Sequence, residues 1–240
     1  MKNKKASKLY LSSRDQKNTI YAPLRYRYLI TRKINFIHAI HMANSKKIAA
    51  MLHKYPYLAN QTYKNGKTPL YYALAKPAQP LSNVIKTLLK YGSNPNQYMR
   101  NNLDTQQPTS HTMPLQFATQ AGHVKIVDLL LASGANQYFR TEDCSAPVTY
   151  TTNNEIRKIF ARYQCEVTED GEILCPICME DLNSNSLQIS ARRCGHLYCH
   201  KCDITLNDRF ALIRTSPCPI CGDKEIDEDQ WIHAYLRLIQ

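Results

Sequence analysis

Seven cysteines and one histidine in the last third of the chain have the spacing of metal ligands. They form four ordered pairs, which are Cys175-x-x-Cys178, Cys194-x-His196, Cys199-x-x-Cys202 and Cys218-x-x-Cys221. Two ligands that are one or two residues apart can close on the same ion, and thiolate and imidazole ligands suit tetrahedral Zn²⁺. Eight ligands complete two four-coordinate sites and leave no position for a reactive water. The pattern therefore predicts two structural zinc ions and no hydrolytic centre.

The order of these ligands resembles that of the RING finger family, over residues 172–224. Spacing alone leaves open which pairs share an ion. The resemblance implies an interleaved cross-brace, in which the first zinc is bound by Cys175, Cys178, Cys199 and Cys202. The second zinc is then bound by Cys194, His196, Cys218 and Cys221. His200 is a competing ligand, but His196 has the spacing that the family uses.

Members of this family mostly act as ubiquitin ligases. They dock a ubiquitin-conjugating enzyme that carries ubiquitin and favour its transfer to a substrate lysine. The resemblance implies contacts to that enzyme at Ile177, Pro219 and Leu206. The reacting cysteine belongs to the partner enzyme, so we expect no catalytic residue in this chain. Many active members have a basic residue directly after the eighth ligand, where this chain has Gly222, and Lys224 is a candidate substitute.

Only two cysteines lie outside the ligand pattern, Cys144 and Cys165. This number argues against a disulfide framework and favours a reducing compartment, so we expect an intracellular, cytoplasmic protein, with the nucleus as an alternative. Neither cysteine has a neighbouring base in the sequence, so neither is predicted to be a nucleophile. No run of about eighteen apolar residues occurs, so no transmembrane helix is expected.

The residues before the ligand pattern repeat with a period near 33 residues. The run Thr-Pro-Leu-Tyr-Tyr-Ala at 68–73 returns as Met-Pro-Leu-Gln-Phe-Ala at 113–118 and, more weakly, at 146–151. An apolar-periodic segment follows each opening and ends in a turn that contains Gly92 or Gly134 in the middle repeats. Threonine can cap a helix, and proline at the first helical position has no amide hydrogen that needs a partner.

This pattern resembles the ankyrin repeat, which pairs a short inner helix with an outer helix. We count about four repeats, of which the first and last are degenerate, as terminal repeats of a solenoid often are. The interval from Pro69 to Pro114 is 45 residues, about twelve more than one period. The excess lies in residues 76–83 and 99–112, and it is either part of a binding face or a tolerated loop.

Charge divides the chain near residue 165. Residues 1–165 contain 24 Lys+Arg and 6 Asp+Glu, a net +18, whereas residues 166–240 contain 7 and 13, a net −6. The basic part could attract an acidic protein, an anionic membrane or nucleic acid, although no nucleic-acid motif is present. An alternative is a solvated surface that only keeps the chain soluble.

We therefore predict a mainly α protein, an ankyrin-repeat solenoid followed by a small zinc-stabilised α+β RING-type cross-brace domain. The expected order is a basic tail or cap (1–33), the repeat array (34–163), a linker (164–171), the finger (172–224) and a C-terminal helix (225–240). That helix would pack on the finger or the last repeat, or form a homodimer seam.

The array would bind an unidentified protein substrate while the finger recruits the conjugating enzyme. The alternative is a non-catalytic scaffold or adaptor. The richness in Asn, Lys, Tyr and Ile hints at an AT-rich genome, and in a bacterial or viral source the protein would act as an effector in the host cytosol.

Overall fold

A computed structural model describes residues 24–63, 66–75, 82–97, 99–100, 111–140, 145–184, 188–209 and 217–223. The described chain is mainly helical and divides into two compact units, Met1–Pro114 and Leu115–Gln240. Most of the predicted basic tail, Lys224 and the C-terminal helix predicted over 225–240 lie outside the described residues. No helix in the described ranges is long and apolar enough to cross a membrane.

The first unit contains the first two repeats as helix pairs. Helices α1 (Leu24–His41) and α2 (Ser45–Lys54) are followed by a 3-10 turn (Pro56–Asn60), then by α3 (Pro69–Leu74) and α4 (Ser82–Lys90). Helix α1 runs through residues 33 and 34, where the sequence predicts the end of the basic tail. Apolar side chains on the facing sides of these helices form the core, including Phe36, Ile40, Ile48, Leu52, Leu70, Val84, Ile85 and Leu88.

Helix α3 begins with the chemistry that the sequence predicts. The hydroxyl of Thr68 accepts a hydrogen bond from the amide of Tyr71 at 3.1 Å, and Pro69 occupies the first helical turn. Thr68 is buried, and its hydroxyl satisfies one of the backbone donors that the first turn of a helix leaves without an intrahelical partner. The Thr-Pro-Leu opening therefore fixes where the inner helix starts.

The recurring Asn of the repeat loops joins neighbouring repeats. Asn60 donates from its side-chain amide to the carbonyl of Gly92 at 2.7 Å and accepts from the amide of Asn94 at 2.7 Å. The buried hydroxyl of Ser93 donates to the carbonyl of Ala59. These partners are 32 to 34 residues apart, which is one repeat, so the loops of the two repeats are held in register.

Part of the insertion in the second repeat forms the ends of a hairpin. Strands β1 (Met99–Arg100) and β2 (His111–Thr112) pair antiparallel, with Met99 opposite Thr112 and Arg100 opposite His111. Residues 101–110 lie outside the described chain.

The second unit contains the last two repeats and the cysteine-rich segment. Helices α5 (Pro114–Gln120) and α6 (Val124–Ala132) form the third pair, and a 3-10 turn (Pro147–Tyr150) precedes α7 (Asn154–Gln164). The expected inner helix of the fourth repeat is therefore only one turn long. Val148, Thr149 and Thr151 are β-branched and favour extended backbone. Asn153 then starts the next helix, because its side chain accepts from the amide of Glu155.

The cysteine-rich segment has little regular structure. Two isolated bridges, Val167 with Ile173 and Leu174 with Asp181, are followed by strands β3 (Ile189–Ala191) and β4 (Leu197–Cys199), which pair antiparallel. Helix α8 (His200–Arg209) follows β4 directly. We call residues 172–223 the finger.

The finger packs against the fourth repeat through side chains of α7. Arg157 donates to the carbonyl of Ile189 at 2.6 Å and to that of Thr151 at 3.0 Å. Lys158 donates to the carbonyl of Asn183, and Gln164 to that of Gly195. Backbone joins them as well, because the amide of Ala146 donates to the carbonyl of Arg193 at 2.9 Å. The last repeat and the finger therefore share one packed interface.

Gly195 is closely packed at this interface. It has a φ of +95°, and a Cβ at this position would lie 2.8 Å from the Cβ of buried Ala146. Gly171 also has a positive φ, +82°, but a Cβ there would meet no described atom within 4 Å.

We expect Gly195→Ala to destabilise the protein by roughly 2–4 kcal/mol, because it adds overpacking to backbone strain. Gly171→Ala is the matched control, since it adds only the strain of about 1–2 kcal/mol. Urea unfolding of the zinc-loaded protein, followed by circular dichroism, compares the two variants. Equal losses would contradict the close packing of Gly195 on Ala146.

Candidate metal centres

Two groups of cysteine and histidine side chains converge within the described part of the finger. One group is Cys175, Cys178, Cys199 and Cys202, and the other is Cys194, His196, Cys218 and Cys221. Within each group the potential ligand atoms lie within 4.8 Å of one another. Along the chain, pairs from the first group alternate with pairs from the second group, so the two groups interleave. The same grouping is found in the ligand sets that the family resemblance implies.

The first group is built on β4 and a tight turn. Cys175 and Cys178 are brought together by a turn in which the amide of Met179 donates to the carbonyl of Cys175. Cys199 ends β4 and Cys202 lies in the first turn of α8. The sulfurs of Cys178 and Cys199 are 3.6 Å apart, and the amide of Cys199 donates to the sulfur of Cys175.

The second group is built on two further turns. Cys194 and His196 lie on the turn between β3 and β4, which is closed by the amide of Arg192 donating to the carbonyl of His196. Cys218 and Cys221 lie on a turn closed by the amide of Gly222 donating to the carbonyl of Cys218. The Nδ1 atom of His196 is 3.4 Å from the sulfur of Cys194 and 3.6 Å from that of Cys218.

These distances fit a tetrahedral zinc ion. Zn–S bonds of about 2.3 Å and Zn–N bonds of about 2.0 Å place two sulfurs about 3.7 Å apart, and a sulfur and a nitrogen about 3.5 Å apart. The observed 3.6 Å between the Cys178 and Cys199 sulfurs, and 3.4 and 3.6 Å around His196, match these values. The donor sets, four thiols in one group and three thiols with one imidazole in the other, are those of closed structural sites.

Burial opposes ionisation of several of these thiols. Burial raises the pKa of Cys194 to about 12, and the neighbouring thiol of Cys218 adds to this effect. Burial, and then the positive charge of Arg140, lower the pKa of His196, so its ring is neutral and has a lone pair to offer. Burial also opposes ionisation of Cys175, but hydrogen bonds from backbone amides outweigh it and lower the pKa. A metal that binds here must therefore displace thiol protons.

His200 and Cys165 lie outside both groups. The Nδ1 atom of His200 is 3.1 Å from the hydroxyl of Ser190, and the ring is exposed. Burial raises the pKa of Cys165 to about 11, so its thiol remains protonated near neutral pH and is a poor nucleophile. Cys144 lies outside the described residues.

The three residues that the resemblance assigns to partner contact differ in exposure. Ile177 is 40% exposed, in the turn between the first two ligands. Pro219 is exposed in the turn between the last two, beside Ile220, which is 43% exposed. Leu206 lies on α8 and is half-buried. The metal-binding turns therefore present apolar side chains to solvent.

A buried ion pair supports the second group from within the finger. Arg192 is 7% exposed, and its guanidinium lies 2.9 Å from a carboxylate oxygen of Asp203. It also donates to the hydroxyl of buried Tyr198 and to the side chain of Asn207. Because Arg192 precedes Cys194 and Asp203 lies on α8, this network fixes the ligand turn against the helix.

Two residues of the loop after α6 lie near the second group. Arg140 forms an ion pair of 2.5 Å with Asp223, two residues after the last ligand. The ring of Tyr138 lies 5.4 Å from that of His196. Sequence spacing does not reveal these residues, because Arg140 and Asp223 are separated by 83 positions.

Comparison with protein families agrees with both parts of the structure. A model of the RING-type zinc finger matches residues 175–216, a range that ends before Cys218 and Cys221. A model of the ankyrin repeat matches residues 65–101 and 112–142, which contain the second and third helix pairs. No curated protein matches the chain significantly. The chain thus contains ankyrin repeats followed by a C-terminal RING-type zinc finger.

Proposed function

We propose that this chain is a RING-type ubiquitin-protein ligase, a transferase of the ubiquitin pathway. Its repeats bind a protein substrate, and its finger docks a ubiquitin-conjugating enzyme that carries ubiquitin. The observation that carries the proposal is the interleaving of the two ligand groups in a finger whose turns expose Ile177 and Pro219. Such a protein acts where conjugating enzymes act, in the cytoplasm.

The finger contributes orientation rather than covalent chemistry. The thioester that reacts belongs to the conjugating enzyme, and the finger holds it near a substrate lysine, which converts a loose encounter into a positioned reaction. The described thiols of the finger belong to the proposed zinc sites, and the thiol of Cys165 is protonated because burial raises its pKa. Ubiquitin therefore passes directly from the conjugating enzyme to the substrate.

Zinc is the metal that these donor sets fit, and it would supply a rigid frame without taking part in the transfer. We expect the purified chain to contain two zinc equivalents by elemental analysis. Cys194→Ser should lose one equivalent, whereas Cys165→Ser, outside both groups, should keep two. Because the Cys194 turn packs on Ala146 and Gln164, Cys194→Ser should also speed hydrogen exchange over residues 146–164. Zinc content of one equivalent or less in the wild type would overturn the two-site proposal.

Ile177 is proposed to contact the conjugating enzyme. We expect Ile177→Ala to weaken that contact by about tenfold, the cost of truncating one apolar anchor. Ubiquitin discharge from a panel of conjugating enzymes measures the effect. Val167→Ala is the control, because Val167 is 44% exposed but precedes the finger. Equal activity of both variants would exclude Ile177 from the docking surface.

Gly222 occupies the position where many active family members have a basic residue. Its φ of +71° is a conformation that side chains rarely adopt, and its amide closes the turn of Cys218. The turn therefore favours glycine here for its backbone geometry. Arg140 brings a guanidinium to the next residue, Asp223, and its side chain is 41% exposed. We include Arg140 in the proposal as the cation that contacts the conjugating enzyme and ubiquitin.

Arg140→Gln should slow ubiquitin discharge by about tenfold or more, because hydrogen bonds from a charged donor are worth about 1.5–3 kcal/mol. Asp223→Asn separates two roles for Arg140. It removes the charge partner but keeps the cation, so activity should persist if Arg140 acts on the partner enzyme. If Arg140 only holds Asp223 in place, both variants should lose activity equally. Zinc content of both variants, measured in parallel, shows whether the second site is intact.

Gly222 also favours the second candidate function, a non-catalytic scaffold. In that case the finger would only stabilise the C-terminal part of the chain or mediate assembly. A wild-type protein that binds two zinc ions and discharges ubiquitin from no conjugating enzyme would support the scaffold instead.

A further inference from the structure

A long part of the chain contains cations and no carboxylates. Residues 16–103 include 14 Lys+Arg and no Asp or Glu. Protein surfaces usually intersperse both signs of charge, which limits self-repulsion. The first two repeats, which lie within this range, therefore carry positive charge that no carboxylate of the same range can balance.

Three of these cations lie over tyrosine rings. The guanidinium of Arg32 is 3.9 Å from the ring centroid of Tyr55, and the ammonium of Lys54 is 5.5 Å from the same centroid. The ammonium of Lys67 is 4.8 Å from the ring centroid of Tyr71. Each distance is within the range of cation–π attraction, so the rings orient the cations and limit their side-chain freedom.

The rings themselves form a series of two contacting groups. Tyr55 packs edge-on against Tyr57 at 6.3 Å, and Tyr63 packs against Tyr72 at 5.6 Å. Tyr72 also contacts Tyr71 at 5.9 Å. Tyr57 is near enough to Tyr63 to raise its pKa, after the larger effects of burial and of Tyr72. We call this series, with its three cations, the basic–aromatic ribbon; its members are Arg32, Lys54, Tyr55, Tyr57, Tyr63, Lys67, Tyr71 and Tyr72.

Most of the ribbon reaches solvent, whereas the hydroxyl of Tyr63 and the Nε atom of Arg32 are buried. Tyr57 is 46% exposed and Lys54 is exposed, and the remaining members are half-buried. Tyrosine and arginine are enriched at protein interfaces, because they combine apolar area with a polar end. A surface with oriented cations and partly exposed rings is therefore suited to a partner that supplies carboxylates.

We propose that the basic–aromatic ribbon binds an acidic segment of a protein partner. Carboxylates of that segment form ion pairs with Arg32, Lys54 and Lys67, and its apolar atoms contact the exposed part of Tyr57. Single-stranded nucleic acid is the weaker fit, because base stacking needs open ring faces. Here a cation lies over Tyr55 and another over Tyr71, while Tyr63 and Tyr72 pack on neighbouring rings. That the partner is also the ubiquitination substrate rests on the proposed function, but the binding does not.

The test is fluorescence anisotropy with the full zinc-loaded chain and three labelled probes. The probes are an acidic peptide of Asp, Glu, Gly and Ser, its Asn/Gln counterpart, and a single-stranded DNA of equal length. The ribbon variant R32E/K54E/K67E should bind the acidic peptide at least about tenfold more weakly than wild type. The control K46E/K47E/K86E changes net charge equally, at exposed positions of the same unit that lie outside the ribbon, and should stay within about twofold of wild type.

Several outcomes would overturn the proposal. Equal losses in the two triple variants would show that net charge alone attracts the peptide. The proposal would also be refuted if the acidic peptide did not bind, or if the Asn/Gln peptide bound equally well. It would be refuted, too, if wild type bound the DNA more tightly than the acidic peptide and the ribbon variant no longer bound the DNA. The milder R32Q/K54Q/K67Q variant, with circular dichroism, guards against loss of fold. The Ile177→Ala variant, which is changed in the finger, should bind the acidic peptide as tightly as wild type does. Failure of the ligase assay would therefore refute the proposed function without refuting binding of the peptide to the ribbon.

Discussion

The finger has only a small apolar core of its own, so its fold would depend on the thiolate–metal bonds of the two proposed zinc sites. Its fully buried side chains are few, and Ile173, Leu182, Ile189, Leu197 and Tyr198 are the main apolar ones among the described residues. A segment of this size rarely folds on hydrophobic burial alone. Without a cation the buried thiol of Cys194 stays protonated, at a cost in free energy, because burial raises its pKa to about 12. Two bound metal ions would offset this cost and would be the main source of rigidity in the finger, including its exposed turns.

The fourth repeat and the finger complete each other. A terminal repeat must cover its apolar face, and here the inner helix of that repeat is reduced to a single 3-10 turn. Ile156 and Phe160 of α7 are nonetheless fully buried, in a unit where α7 packs on both α6 and β4. The finger thus takes the place of a capping repeat. In return, Arg157 and Gln164 donate hydrogen bonds to the carbonyls of Ile189 and Gly195 in the finger.

The sequence predicts the features that depend on short spacing and on period. The metal-ligand pairs, the Thr68 cap and the succession of repeats all depend on residues within one turn or one period of each other, so local chemistry suffices. The family resemblance, rather than spacing, supplied the interleaving of the ligand pairs. The contacts of Arg140 with Asp223 and of Arg157 with Ile189 join side chains 83 and 32 positions apart, and no local pattern marks them. The sequence also did not predict that the fourth inner helix is shortened. The opening at residues 146–151 contains proline, as the other openings do, but its β-branched residues disfavour a longer helix.

Cations have different roles in the two units, and the difference follows from where carboxylates occur. In the second unit, Arg192 pairs with Asp203, Lys201 with Glu180 and Arg140 with Asp223, so positive charge is used to hold the fold. Residues 16–103, which include the first two repeats, contain no carboxylate. Tyrosine rings contact cations there instead, as Tyr55 does with Arg32. A ring stabilises a cation less than a carboxylate does. Lys54 and Lys67 lie over tyrosine rings, whereas Arg192, Lys201 and Arg140 lie beside carboxylates. Among the described residues, the same residue types thus pair with carboxylates in the second unit and with aromatic rings in the first two repeats.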